Sequence, residues 1–479
     1  MQSKGELSGQ RVLVMGLGIK DGGVGATLFA ANRGASVTVT DLRGPEALAD
    51  SLAELAPLEL QLRLGGHDEE DFRNADLVIR NETIRRDNHF LRIAAAHGAR
   101  IESPISLFMA EYDRPFLGVT GTKGKSFTTQ LLQHLIAASG ERAVAAGNNC
   151  VSPLRWLDAS STTLVLELSA QQLAEAAAHR RSPHIACWLN FFEDHLDSYA
   201  SMAAYHADKA VIARFQSTSD VLVLPFGKPT FAQLDSPAQR RYFALSEPPG
   251  VDGVFLADGA ITLVVDGRRT AVLPLRELPP TLRVPHHLEL ALAAVACAHA
   301  HGVSPTAIAT GLKSFPGLPH RFEHVASSRG ISFINDSAAS TPESVELALR
   351  AIAADEGHAL SFAGPIALIV GGGGDKKLCY TQLAQSICER VAQLILFEDD
   401  PIAALLRPLL ADFRGPISTV RCMREAVAEG RRALETSGGG TLLLSPGCCG
   451  WPRFPDMFVR GRVFCEAVRE GLTLTQGTP

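Results

Sequence analysis

Residues Phe116 to Thr129 read FLGVTGTKGKSFTT. Phe116, Leu117 and Val119 predict a short apolar strand, and Thr129 to Ala138 predict a helix. Between them runs the turn Gly121-Thr122-Lys123-Gly124-Lys125-Ser126, with Phe127 behind it. Glycines let backbone N–H groups curl around an anion, and the following helix N-terminus adds its positive dipole end. Lys125 can then reach the outer phosphates of a nucleotide, and the Ser126 hydroxyl can ligate Mg²⁺. The strict spacing of such loops wants a glycine where this chain has Val119. A plain strand-to-helix turn is therefore the competing reading of this stretch alone.

The chain around it has 479 residues, enough for three domains at the usual size. Apolar residues make up 46% and charged ones 20%, an ordinary globular balance. A net charge of −6 with no basic run speaks against a nucleic-acid surface. Nine cysteines without a C-x-x-C pair speak against a disulfide framework, and Cys448 and Cys449 read as packing thiols. The opening MQSKGELSGQ lacks the apolar core of a signal peptide, and no stretch is long and apolar enough to span a membrane. A cytoplasmic protein that uses no membrane is the expectation.

Upstream, residues 1–114 predict a Rossmann-like domain. The strand Arg11 to Met15 meets Gly16-Leu17-Gly18 at once, a helix follows from Val24 to Arg33, and the strand Ser36 to Thr40 ends at Asp41. The turn is longer than the dinucleotide fingerprint, so a simple connection competes with a ligand site. Asp41-Leu42-Arg43 is placed to contact a ribose or a uracil, with Arg43 as a solvated charge in the alternative. The strand Ala75 to Ile79 delivers Asn81-Glu82-Thr83 to the sheet end where open sheets bind ligands.

Residues 115–316 predict a central ATP-binding domain of phosphate-loop type. An alanine-rich strand ends at Gly147-Asn148-Asn149, and the apolar run Thr163 to Leu168 carries Glu167. A carboxylate at the end of a buried strand is costly unless paired or bound to a metal. The strand Ile185 to Leu189 runs into Asn190-Phe191-Phe192-Glu193-Asp194-His195, and Lys209 stands in the helical stretch Ser201 to Phe215. Taken singly, His195 reads as a structural histidine and Lys209 as a surface charge.

Together, GTKGKS, ELSAQQL, LNFFEDHLDSY and YHADK stand in an order and spacing that resembles the Mur ligases, the ATP-dependent amide-forming enzymes of peptidoglycan precursor synthesis. The resemblance continues through Pro319-His320-Arg321-Phe322-Glu323, Asn335-Asp336-Ser337, Gly371 to Gly374 and Leu443-Leu444-Ser445-Pro446. The strands Ser332 to Ile334, Ile366 to Val370, Gln393 to Phe397 and Thr441 to Leu444 alternate with helices and predict a C-terminal Rossmann-like domain over residues 317–479, and Pro316 to Pro319, with two prolines and a glycine, reads as a hinge. The branch most similar adds glutamate to UDP-N-acetylmuramoyl-L-alanine. For ATP, the resemblance implies Gly121, Thr122, Lys123, Gly124, Lys125, Ser126 and Phe127, with Arg321 at the γ-phosphate and Asp336 at the ribose. It implies two Mg²⁺ ions held by Ser126, Glu167, His195 and Lys209, the last as a carbamate. A carbamate is an anion where an ammonium would repel the ion. Gly18, Ile19, Asp41, Leu42, Arg43, Asn81, Thr83 and Asn148 are implied for the UDP-sugar. Ser340, Lys376, Gly450, Trp451 and Arg453 are implied for the amino acid.

Two departures stand out. Where the family has a histidine–asparagine pair and a further asparagine near adenine, this chain has His286-His287 and Leu290. Where D-glutamate ligases carry a lysine and a serine, it has Ala338 and Gly450, with Arg453 close by. Moving a cation within a dicarboxylate pocket is what the mirror-image amino acid would require, so the pattern is similar to the variant that installs L-glutamate. That variant needs a separate epimerase; drift within a D-glutamate ligase is the alternative. A monomer acting on ATP, the UDP-sugar and glutamate is expected. Rivals are a muropeptide-recycling or folate-extending ligase, a nicotinamide oxidoreductase suggested by Gly16-Leu17-Gly18, and a silent nucleotide-binding scaffold.

Overall fold

Alternating apolar side chains sort each strand onto two faces, and this patterning builds three sheets. The computed structural model describes residues 7–193, 199, 201–353, 364–374 and 378–476. In the strand Arg11–Met15, Val12 and Val14 join one core while Leu13 and Met15 join another with Phe72, Val78 and Leu91. A period of two makes that split obligatory for any strand covered on both faces.

The first sheet runs Gln61–Leu64, Ser36–Asp41, Arg11–Met15, Leu77–Arg80, Arg100–Glu102, all parallel. Chain order reverses between Arg11–Met15 and Leu77–Arg80, the switch point at which open sheets form a crevice. The second sheet has nine strands. Its parallel part orders Ala143–Gly147, Thr163–Glu167, Leu117–Thr120, Ile185–Trp188, Val221–Pro225, Gln239–Ala244 and Gly253–Ala257. The antiparallel strand Ala260–Val265 follows, and Arg268–Pro274 forms the edge. The third sheet runs Glu323–Ser328, Ile331–Asn335, Gly440–Leu444, Ile366–Val370, Gln393–Phe397, Ile417–Val420, antiparallel only in its first pair. The fold is α/β, with helices between most successive strands; the run from Gln239–Ala244 to Arg268–Pro274 and the pair Glu323–Ser328 and Ile331–Asn335 follow without one.

The chain divides into two compact units, Met1–Val272 with Leu290–Gly311, and Leu273–Glu289 with Leu312–Pro479. These divisions lie ahead of the Pro316 to Pro319 stretch. Within the first unit, the first and second sheets share one apolar core, including Val12, Ile105, Leu166 and Trp188. The helix Asp21–Asn32 packs closely there, since a Cβ on Gly25 would lie 2.3 Å from Ser152 Cβ. Asp21 accepts from Ser152 N at 2.7 Å and from Arg155 Nε at 2.6 Å. A buried Arg80–Glu175 ion pair, joined by Ser103, ties the same two layers. In the second unit the same alternation sends Leu368 and Val370 to one core and Ala367 and Ile369 to the other.

Among the described residues no helix is long and apolar enough to cross a membrane. All nine cysteines are free thiols.

Candidate active site

The strand Leu117–Thr120 hands the chain to the glycine turn, and the helix Lys125–Ala137 begins four residues before its apolar periodicity does. Gly124 explains the early start. It caps the helix at φ 86°, a left-handed conformation that glycine adopts without strain, and no side chain caps the first turn. Leu290 lies against this glycine: a Cβ on Gly124 would sit 2.5 Å from Leu290 Cδ2. The departure at position 290 therefore touches the phosphate turn itself.

Asn190 holds the turn in shape. Its Oδ1 accepts from Thr122 N at 3.0 Å and Lys123 N at 2.9 Å, and its Nδ2 donates to Lys123 O at 3.0 Å. The sequence alone assigns no role to Asn190, the second residue of the LNFFED motif. Thr122 is tied further by its Oγ1, which accepts from Phe192 N at 3.1 Å. Lys123 is exposed and Phe127 is buried.

Lys125 Nζ donates to Gly121 O at 2.9 Å and Thr122 O at 3.1 Å. Lys209, in the helix Met202–Arg214 and only 1% exposed, donates to the same Gly121 O at 3.0 Å and to Thr120 Oγ1 at 3.4 Å. Its ammonium also lies 4.8 Å from the centre of the Tyr205 ring. A lysine read singly as a surface charge is thus buried at the phosphate turn.

Glu167 ends its strand 2% exposed. One oxygen accepts from Asn148 Nδ2 at 2.7 Å, and the other, Oε2, is buried without a hydrogen-bond partner among the described residues. Asn148 is thereby brought to the acid. An orphaned carboxylate oxygen of this kind suits a cation, because leaving it bare in the interior is expensive. The oxygen donors of Ser126 and Glu167 fit Mg²⁺, which prefers oxygen ligands. His195 lies outside the described residues.

At the first sheet, Asp41 is turned inward. Its carboxylate accepts from Gly18 N at 2.9 Å and Arg43 N at 2.9 Å, binding the two turns together. Asn81 closes the rim, with Nδ2 on Gly16 O at 3.3 Å and Oδ1 accepting from Thr83 Oγ1 at 2.9 Å. Ile19 and Leu42 are 66% and 71% exposed, and Arg43 and Thr83 are exposed beside them. This rim carries solvent-facing apolar and cationic groups at the strand ends.

In the second unit, Arg321 stands between two residues held in the left-handed region, His320 at φ 64° and Phe322 at φ 48°. Such backbone costs about 1–3 kcal/mol per residue and persists where its surroundings enforce it. Here His320 O accepts from Ala338 N at 2.9 Å, and Phe322 N donates to Asp336 Oδ1 at 3.1 Å. Asp336 also accepts from Ser445 Oγ at 2.9 Å. Burial pushes its pKa up to about 7, against the Ser445 and Phe322 hydrogen bonds and the nearby Arg321 charge.

The amino-acid positions fare unevenly. Ser340 is half-buried, ahead of the helix Pro342–Ala353, and Trp451 is 69% exposed. Arg453 is exposed, and its guanidinium donates to Arg421 O at 3.0 Å and to Glu398 O, over the Phe397 ring. The positive charge expected for the pocket is thus anchored on backbone carbonyls. Gly450 has no room for a side chain, because a Cβ would meet Asp456 C at 2.5 Å and Asp456 O at 2.6 Å. Lys376 lies outside the described residues. Asp400, which the sequence reading did not single out, secures the glycine run by accepting from Gly372 N at 2.6 Å.

Residues 119–247 match the family described as Mur ligase middle domain, and residues 320–448 match Mur ligase, glutamate ligase domain. A relative from Roseiflexus sp. (strain RS-1), named UDP-N-acetylmuramoylalanine–D-glutamate ligase, is 36% identical over 97% of this chain and 99% of its own. A relative of the same name from Treponema pallidum is 32% identical, covering 98% of this chain and 99% of its own. Among solved structures, UDP-N-acetylmuramate–alanine ligase from Thermotoga maritima aligns with a TM-score of 0.62 at 17% identity. It covers 96% of this chain and 100% of that one, a likeness of fold.

Proposed function

Because the chain belongs to the Mur ligase family, we propose that it is an ATP-dependent ligase joining glutamate to UDP-N-acetylmuramoyl-L-alanine. The observation that carries this reading is the convergence of Lys125 and Lys209 on one carbonyl, Gly121 O. An oxidoreductase has no use for two lysines at a phosphate turn, and a silent scaffold has no use for the orphaned oxygen of Glu167.

The acceptor's terminal carboxylate is a poor acyl donor, since oxide or hydroxide would have to leave. It attacks the γ-phosphorus of ATP, ADP departs, and an acyl phosphate forms. The amine of glutamate then adds to that carbonyl, the nitrogen loses a proton, and inorganic phosphate leaves as the amide forms. Lys125 neutralises charge on the transferring group, and Asn190 keeps the turn in register around the phosphates. Arg321 belongs at the γ-phosphate and Asp336 at the ribose. Ser126, Glu167, a carbamoylated Lys209 and His195 would hold Mg²⁺, which would neutralise charge on the phosphates when bound.

For the amino acid, the relatives' names favour D-glutamate, the enantiomer that the sequence reading set second. L-glutamate remains a second reading on specific grounds. Ala338 replaces the lysine of D-glutamate ligases, and Gly450 stands where they carry a serine and has no space for one. An L-product would call for an epimerase acting afterwards. Purified enzyme supplied with ATP, Mg²⁺, the UDP-sugar and either enantiomer decides the matter. ADP release that depends on both the UDP-sugar and glutamate is expected. Release indifferent to glutamate would sink the ligase reading, and the enantiomer found in the product assigns the handedness.

A further inference from the structure

Three loops at the carboxyl ends of adjacent strands meet on one side chain. Arg460, in the helix Met457–Gln476, is fully buried. Its Nε donates to Ser337 Oγ at 3.0 Å and its Nη2 to Ser337 O at 2.9 Å, in the loop after Ile331–Asn335. Its Nη1 donates to Cys449 O at 2.8 Å and its Nη2 to Cys448 O at 3.0 Å, in the loop after Gly440–Leu444. The loop after Ile366–Val370 lies on the arginine's stem, since a Cβ on Gly372 would be 3.5 Å from Arg460 Cδ.

Among the described residues no carboxylate forms an ion pair with this guanidinium, and its oxygen partners are three carbonyls and a hydroxyl. Burial pushes the adjacent Cys448 thiol up to about 12, so no thiolate balances it at neutral pH. This buried cation is held by dipoles, with the Asp400 carboxylate close enough to act on it through its field, and it lends positive potential to the loops it touches. The loops it grips carry Ala338, where the cation of related ligases is missing, and Gly450.

We infer that Arg460 is a positioning residue for the incoming glutamate: it fixes the Ser337 and Cys448–Cys449 loops relative to each other and lends their pocket the positive charge that Ala338 lacks. This deepens the proposed ligase reading and rests on it. A dianionic amino acid gains from a fixed buried charge without touching it, because the field in a low-dielectric interior is weakly screened.

Steady-state ADP release by wild type, Arg460→Lys, Arg460→Met and Ser337→Ala tests the inference, with thermal melting of each variant. Arg460→Lys keeps the charge and loses the fork, so glutamate KM should rise about tenfold, as for loss of charge-assisted hydrogen bonds. KM for ATP and for the UDP-sugar should stay within about twofold of wild type. Arg460→Met should raise glutamate KM further. A lowered kcat with unchanged glutamate KM, or equal shifts for all three substrates, would overturn the positioning role. Should neither Arg460 variant melt cooperatively, Ser337→Ala decides, with a raised glutamate KM supporting the inference and an unchanged one overturning it. Wild-type enzyme that turns over without glutamate would overturn the ligase reading and this inference together; active wild type with unaffected variants would overturn the inference alone.

Discussion

Two ammonium groups sharing the Gly121 carbonyl repel each other, and a carbamate on Lys209 would turn that repulsion into attraction. Lys209→Ala should therefore lower turnover by about 10²–10³, the scale for removing a preorganised electrostatic contact. Added bicarbonate should not restore it, and a variant with normal kcat would rule out the carbamate. Glu167→Gln keeps a hydrogen-bond acceptor for Asn148 and removes the bare anionic oxygen. The Mg²⁺ concentration for half-maximal ADP release should rise about tenfold or more, the scale of disturbed metal shells; an unshifted titration would remove Glu167 from the ligand set. Both residues were legible beforehand because a charged group near an apolar strand or inside a matched motif demands an explanation. Asn190, Asp400 and Arg460 were not, since the contacts that matter run to other loops, mostly to backbone groups outside their own motifs. Spacing along the chain carries no trace of such contacts.

Element boundaries follow the same division between local and distant causes. Strands Arg11–Met15, Ile366–Val370 and Gln393–Phe397 have the bounds that their apolar runs predict. The helix after the phosphate turn starts at Lys125, earlier than its periodicity, because the left-handed Gly124 sets its first residue. Gly124→Ala places a Cβ in a strained backbone and against Leu290. The change should destabilise the protein by about 1–3 kcal/mol and raise the KM for ATP. Melting and ATP kinetics measured on the same preparation check both parts. An alanine variant with native melting and native ATP kinetics would show that the turn tolerates a different path.

Among the described residues, burial raises the pKa of three carboxyl groups, Glu82, Asp336 and Glu346, the first two furthest. Burial pushes Glu82 up to about 7, helped by the neighbouring Glu175, and Asp336 likewise to about 7. Each binds its proton more tightly folded than unfolded. The stability they contribute is complete below about pH 4 and is lost as pH climbs towards about 7. A Glu82→Gln, Asp336→Asn double variant should gain more melting temperature over wild type at pH 8 than at pH 5; an equal gain at both would contradict the raised pKa values. The α/β class and its sheets were readable from strand patterning. The sharing of one core by the first two sheets was not, because which helix faces which layer is settled by small residues such as Gly25 meeting Ser152.

The absent side chain at Gly450 has an evolutionary consequence. With Asp456 folded back onto that position, a serine cannot be regained by one nucleotide change without the connecting segment adopting another path. Exchanging the segment from Gly447 to Asp456 as one piece would bring a side chain at position 450 together with a path that accommodates it, where a point change alone would clash.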